Sequence, residues 1–149
     1  MRNRLLLAVD QFEPGQAALD FTIGLAATSK SDVQVLHVRE LPSSLRVPPL
    51  ESAAEARVLV EETVHRLQTA GIAAEGETCS EREPNVARRI VEEASSRRCN
   101  AIVLGSLRLR GLKSIMGQGT RERVLKMSPL PVIVAPPVLG VKEQSLAPL

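Results

Sequence analysis

Between Gly105 and Lys126 the chain gathers six basic residues, Arg108, Arg110, Lys113, Arg121, Arg123 and Lys126, against one acid, Glu122. This local excess of positive charge sits in a chain whose total is only +2. The stretch also holds Gly105-Ser106, directly after the apolar run Ala101-Ile102-Val103-Leu104. Gly117-Gln118-Gly119-Thr120 directly precedes a short helical pattern, Arg121 to Met127. Free N–H groups at a helix start bind anions, and basic side chains add charge-assisted hydrogen bonds to a phosphate or carboxylate. Glycine at position 105 permits positive φ and close approach of a ligand to backbone, and Ser106 can donate to a phosphate. Far off in sequence, Asp10 closes a second apolar run, Leu5 to Val9. Its carboxylate can accept from a ribose hydroxyl or an adenine amine. Each feature has a plain structural alternative: Asp10 or Thr120 as a helix cap, Gly105-Ser106 as a β-to-α turn, and the stretch between as a solvated basic loop with two glycines for tight turning.

Catalytic constellations are missing. The chain has no Gly-x4-Gly-Lys-Ser/Thr phosphate loop and no Gly-x-Ser-x-Gly nucleophile turn. His37 falls inside a strand pattern and His65 inside a helix pattern, which makes each a packing or surface residue rather than a base. Cys79 and Cys99 have no metal or redox spacing and read as free thiols in a reducing cytoplasm. No His, Cys and carboxylate cluster has metal-ligand spacing. The expectation is a protein that binds rather than one that catalyses.

The elements that must position these residues follow from the apolar patterning. A length of 149 residues suits one domain with a proper core, and a hydrophobic share of 44% is globular. The only aromatics are Phe12 and Phe21, so the core is aliphatic, as in layered α/β folds. Scarce rings exclude single-strand nucleic-acid binding by base stacking, and a charge of +2 is too mild for a DNA-binding surface. No run of about 18 apolar residues exists to span a membrane. The basic start and apolar run of MRNRLLLAVD end at Asp10, which reads as a strand and not a secretory leader.

Leu5 to Val9 is therefore strand one, followed by a helix opening near Pro14 and carrying Ala17, Ala18, Phe21, Ile23, Leu25 and Ala26. Strand two is Val33 to Val38. Residues 39–50, with Pro42, Pro48 and Pro49, form a loop, the most mobile connection expected. A helix from Glu51 to Ala70 is ended by Gly71. Ile72 to Thr78 is a weaker strand, and Gly76 suits it to an edge. Pro84 opens a helix to about Arg98. Strands four and five are Ala101 to Leu104 and Val132 to Ala135. The alternation predicts an open, doubly wound, five-stranded parallel sheet. Its ligand crevice lies outside the strand C-termini where the winding reverses, which sets Ala8, Val9 and Asp10 opposite Gly105 and Ser106.

LLLAVDQFEPGQAALDFTIGLA, VQVLHVRE, REPNVARRIVEEASSRRCNAIVLGS and RERVLKMSPLPVIVAPP, in that order, resemble the universal stress protein family from about Leu5 to Ala135. The resemblance implies a flavodoxin-like domain (adenine nucleotide alpha hydrolase-like) over residues 1–137, strand order 3-2-1-4-5, and a loose tail over 138–149. It implies a cytoplasmic homodimer joined through Val132, Ile133, Val134 and Ala135. It also implies an adenine nucleotide, ATP or AMP, bound without well-defined catalysis. Ala8, Val9, Asp10, Val38, Gly105 and Ser106 match the positions for base and sugar. The phosphate end departs from the family's Gly-x2-Gly-x9-Gly-Ser/Thr. In the ungapped register Arg108 stands at the second glycine, Gln118 at the third and Gly119 at the Ser/Thr. Phosphates would then lie near Arg108, Gly117, Gln118, Gly119 and Thr120. The alternative is a dimeric protein-interaction module of the same fold, without nucleotide, presenting residues 39–50 and 107–113.

Overall fold

Leu5 to Val9 is apolar at every position because both faces of this strand are covered. Leu5, Leu7 and Val9 pack on one side with Ala18, Leu19, Val33, Val35, Val60 and Leu67. Leu6 and Ala8 pack on the other with Leu36, Val38, Ile90, Ile102, Leu104 and Val124. The computed structural model describes residues 2–10, 15–105 and 119–136. In chain order the elements are β1 (Asn3–Ala8), α1 (Gly15–Ser29), β2 (Ser31–Leu41), α2 (Ala53–Thr69), β3 (Ala74–Arg82), a 3-10 turn (Glu83–Asn85), α3 (Val86–Ser96), β4 (Ala101–Leu104), α4 (Thr120–Met127) and β5 (Val132–Val134). All five strands are parallel, in the order β3-β2-β1-β4-β5. Helices α1 and α2 cover one face, and α3 and α4 the other. This is the flavodoxin-like architecture, and its strand order is the expected one.

The boundaries differ from the sequence expectation where polar residues are paired. β2 runs on to Leu41, and β3 begins at Ala74 and reaches Arg82, four residues past Thr78. The register Arg39↔Ser80, Glu40↔Glu81, Leu41↔Arg82 carries both strands past their apolar portions. Arg89 of α3 and Arg97, just past its end, neutralise Glu81 and Glu77 in this polar half. Arg89 binds Glu81 at 2.6 Å and Glu93 at 3.0 Å; Arg97 binds Glu93 at 3.2 Å and also pairs with Glu77. Ile72, expected to open β3, is buried in the preceding turn, where its N–H donates to the Leu67 carbonyl. Pro84 opens a 3-10 turn rather than the helix itself, and α3 stops at Ser96. β5 ends at Val134, although the Ala135 N–H still donates to the Leu104 carbonyl.

Helix α2 starts two residues later than expected because Ser52 caps it. The Ser52 hydroxyl accepts from the Glu55 N–H at 3.0 Å, and the Glu55 carboxylate accepts from the Ser52 N–H at 2.7 Å. The helix ends before Gly71, whose φ of +86° suits only glycine. Gly76 does sit on an edge strand, but for a packing reason. A Cβ there would meet Val60 Cγ1 at 2.7 Å.

Candidate functional site

The C-terminal ends of β1, β2 and β4 and the start of α4 meet at one end of the sheet. At the end of β1, the Val9 N–H donates to the Leu36 carbonyl at 2.9 Å. Its carbonyl faces His37 Nδ1 at 2.8 Å. A carbonyl only accepts, so Nδ1 carries a proton. The other ring nitrogen, Nε2, lies 2.5 Å from Glu51 Oε2, with both side chains almost fully buried. A second proton must sit between these two atoms, since an imidazole lone pair facing a bare carboxylate at that distance is repulsive. Arg39 Nε donates to the Glu51 carbonyl at 2.9 Å. The connection leaving β2 is thus tied back to the sheet at Glu51, one residue before the Ser52 cap.

On the α3 and α4 face, the alternation that buries Leu36 and Val38 brings Glu40 to the end of β2. Burial pushes the Glu40 carboxyl up to about 7, and Glu83 and Asp10 add to the rise. Glu40 Oε2 is buried without a hydrogen-bond partner among the described residues. At the start of α4 stands Arg121, only 8% exposed. Its Nε and Nη2 both donate to the Gly105 carbonyl, at 3.1 and 2.9 Å. Its Nη1 is buried and has no partner among the described residues. Burial lowers the Arg121 pKa from the usual arginine range, while Glu122 and Asp10 push it back up.

Helix α4 is capped by Gly119, whose φ of +89° is left-handed, with no side-chain capping bond. Thr120, one reading of which was the cap, is instead the first helical residue and is buried.

The structure brings together Ala8, Val9, Asp10, Val38 and Gly105 at the strand ends, with Gly119 and Thr120 at the α4 start. Ser106, Arg108, Gly117 and Gln118 lie outside the described residues. Gly105 does not use the positive φ that glycine permits. A Cβ there would come no closer than 3.9 Å, to Ala18. What Gly105 supplies is its carbonyl. Both cysteines are free, and burial raises the Cys79 thiol to about 11 and the Cys99 thiol above its usual value. Among the described residues no three His, Cys, Asp or Glu side chains are placed to hold a metal.

Sequence reasoning read His37 as a packing or surface residue, and it is buried; its pairing with Glu51, and the placing of Glu83 near Glu40, were not foreseen. One signal was present: a histidine in a fully apolar strand needs partners for two ring nitrogens.

The family model for universal stress proteins matches residues 1–136. The chain belongs to the universal stress protein family. Among curated relatives, universal stress protein YxiE of Bacillus subtilis (strain 168) is 28% identical over 149 aligned positions, covering 90% of this chain and 99% of the relative. A universal stress family protein from Burkholderia pseudomallei has the same fold, with a TM-score of 0.72 at 23% identity over 90% of this chain and 96% of that one. So does a universal stress protein from Archaeoglobus fulgidus, solved in complex with dAMP, with a TM-score of 0.66 at 21% identity over 91% of this chain and 98% of that one. Among the described residues no helix is long and apolar enough to cross a membrane.

Within the universal stress fold, the left-handed cap explains why glycine stands at position 119. Gly119→Ser, which writes the family's Ser/Thr back in the ungapped register, should cost about 1–2 kcal/mol through its Cβ, less whatever the new hydroxyl returns by capping. Chemical denaturation measures the balance; a net gain in stability would show that the turn relaxes to negative φ.

Proposed function

We propose that this universal stress protein binds an adenine nucleotide, ATP or AMP, in the crevice at the strand C-termini and has no catalytic turnover of its own. The base and ribose lie against Ala8, Val9, Asp10, Val38 and Gly105, and the phosphates lie toward Gly119, Thr120 and the α4 N-terminus. The observation that carries this reading is Arg121. It is a nearly buried guanidinium whose Nη1 has no partner among the described residues, at the helix start where the parallel sheet opens. The dAMP complex of the Archaeoglobus relative, which shares the fold, supports it. Isothermal titration with ATP and AMP should give saturable heat, reduced by Asp10→Ala. Absence of heat and of competition at millimolar nucleotide overturns the reading.

In that event the alternative takes its place: a dimeric interaction module of the same fold. The observation favouring it is the connection after β2, where Leu45 is 96% and Leu50 72% exposed.

Both readings include a homodimer through β5. Val134 is exposed on this edge strand, and α4 exposes Leu125 and Met127. Ala135 is buried within the protomer and offers no side chain to such a contact. Pairing of the two β5 edges would cover them. Sedimentation at tens of micromolar should show a dimer that Val134→Lys dissociates; a wild-type monomer refutes it.

A further inference from the structure

We propose that His37, braced by Glu51, is a positioning residue for the nucleotide crevice: it takes the Val9 carbonyl away from the β1–β2 ladder and so keeps the edge of β2 open to ligand at Val38. The inference rests on the nucleotide reading above. It gives a role to a buried pair that lies in neither the family motif nor the expected contact set.

Two backbone bonds fix which way β2 faces. The Val33 N–H donates to the Ala73 carbonyl beside β3, and the Leu36 carbonyl accepts from the Val9 N–H. Peptide groups alternate sides along a strand, so odd-numbered groups of β2 face β3 and even-numbered ones face β1. The rung after Val9 N–H to Leu36 would be Val38 N–H to the Val9 carbonyl. Among the described residues that rung is not formed. The β1–β2 register stops at Ala8↔Leu36, while β2 and β3 stay paired as far as Leu41↔Arg82. Past Ala8, β2 therefore has a strand on one side only, and the Val38 peptide group faces the side that β1 has left. Val38 is buried, and a buried peptide group without its rung calls for another partner.

The Val9 carbonyl goes to His37 Nδ1 at 2.8 Å instead. His37 shares its side of the sheet with Val33 and Val35, which pack on the α1 and α2 face. The donor thus lies off the plane of the ladder. Glu51 fixes the ring from the other end: Nε2 lies 2.5 Å from Oε2, and Arg39 Nε holds the Glu51 carbonyl at 2.9 Å. Glu51 directly precedes the Ser52 cap, so the ring is braced against the start of α2. An apolar residue at position 37 would pack as Val33 and Val35 do, but it would leave the Val9 carbonyl to the next rung. The other seam beside β1 parts in the same way. The β1–β4 register stops at Leu7↔Val103, and the Gly105 carbonyl is taken by the buried Arg121. On both sides of β1 a side chain claims the carbonyl at which the sheet opens.

Two variants divide the duties of the ring. In His37→Asn the amide nitrogen stands close to the place of Nδ1; it can donate to Val9 and does not reach Glu51. In His37→Gln the longer amide reaches Glu51 and leaves Val9 without its donor. Each keeps one bond of the two, so a histidine that only holds the fold together predicts losses of affinity that follow stability. Isothermal titration with AMP should instead give His37→Asn a dissociation constant within about threefold of wild type, and His37→Gln one about tenfold higher, the scale of one hydrogen bond to the ligand. Equal affinities in the two variants, or losses that follow their urea midpoints, overturn the proposal and leave the nucleotide reading intact. Absence of AMP binding by wild type overturns both.

Amide hydrogen exchange of the ligand-free protein tests the ladder directly. In wild type the Val38 amide should exchange about tenfold or more faster than the Leu36 amide, which lies inside the register, and His37→Gln should slow it by returning the Val9 carbonyl to the rung. A wild-type Val38 amide as protected as Leu36 would show that the rung is closed, and the proposal falls.

Discussion

His37→Ala lowers the unfolding free energy by about 3–5 kcal/mol, the range for removing one partner of a buried pair. The substitution leaves Glu51 buried, with its carboxylate no longer facing a ring N–H, and strips the Val9 carbonyl of its donor at 2.8 Å. Glu51→Gln is the informative companion. The amide can donate to Nε2 while Nδ1–H still donates to Val9, so every atom keeps a partner without a shared proton. Its cost should be about 1 kcal/mol or less, the scale of one neutral hydrogen bond. Glu51→Ala should fall near His37→Ala, with loss of the tie between the connection after β2 and the sheet. Urea denaturation of the three variants measures this series. If Glu51→Gln costs as much as Glu51→Ala, the pair depends on charge, and the hydrogen-bond account of it is wrong.

The second large effect belongs to a residue with no side chain. Gly76→Ala should destabilise by about 1–3 kcal/mol, the usual cost of overpacking. A strand glycine replaced by alanine ordinarily gains about 0.5–1 kcal/mol, so the sign itself tests the packing. The new methyl would lie 2.7 Å from Val60 Cγ1 and 3.0 Å from Val35 Cβ and the Val35 carbonyl. Backbone cannot retreat here without breaking the β2–β3 ladder, where Val35 and Gly76 are register partners. Val60 can be trimmed. Val60→Ala combined with Gly76→Ala should show a favourable coupling of about 0.5–3 kcal/mol in a double-mutant cycle. Additive losses would mean that α2 shifts to accommodate the methyl.

These two cases mark what the sequence made legible. Continuous apolar runs at Leu5–Val9 and Ala101–Leu104 are unambiguous, because strands buried on both faces have no room for polar residues. The same logic underestimates an edge. The outer half of β3, from Glu77 to Arg82, is a strand because its carboxylates find Arg89 and Arg97 eight and twenty residues away, and no local pattern announces such partners. The site divides in the same manner. Asp10 and Gly105 follow from the rule that ligands gather outside strand C-termini at a switch point. Arg121 was legible as a cation but not as a buried one. Its place on the Gly105 carbonyl depends on how α4 packs. His37 was legible as buried, while its partner Glu51 was hidden by a proline-rich connection whose path patterning does not dictate. Glu40 lay in what the sequence presented as loop.

The two edges of the sheet are chemically unlike, and this limits how the protein can grow. β5 is three residues long and apolar, with its last side chain open to solvent. β3 is nine residues long and sets Glu75, Glu77 and Glu81 along the opposite edge. Edge strands are templates for further strands unless charge or brevity discourages it. A second copy approaching β3 would meet Glu75, Glu77 and Glu81, the last two paired with Arg97 and Arg89, and one approaching β5 would meet Val132, Ile133 and Val134. In the proposed dimer each molecule uses its short apolar edge once, and the margins left outward are the two β3 strands with their ion pairs. On that arrangement the sheet doubles and then stops, because neither outer margin offers a second apolar strand.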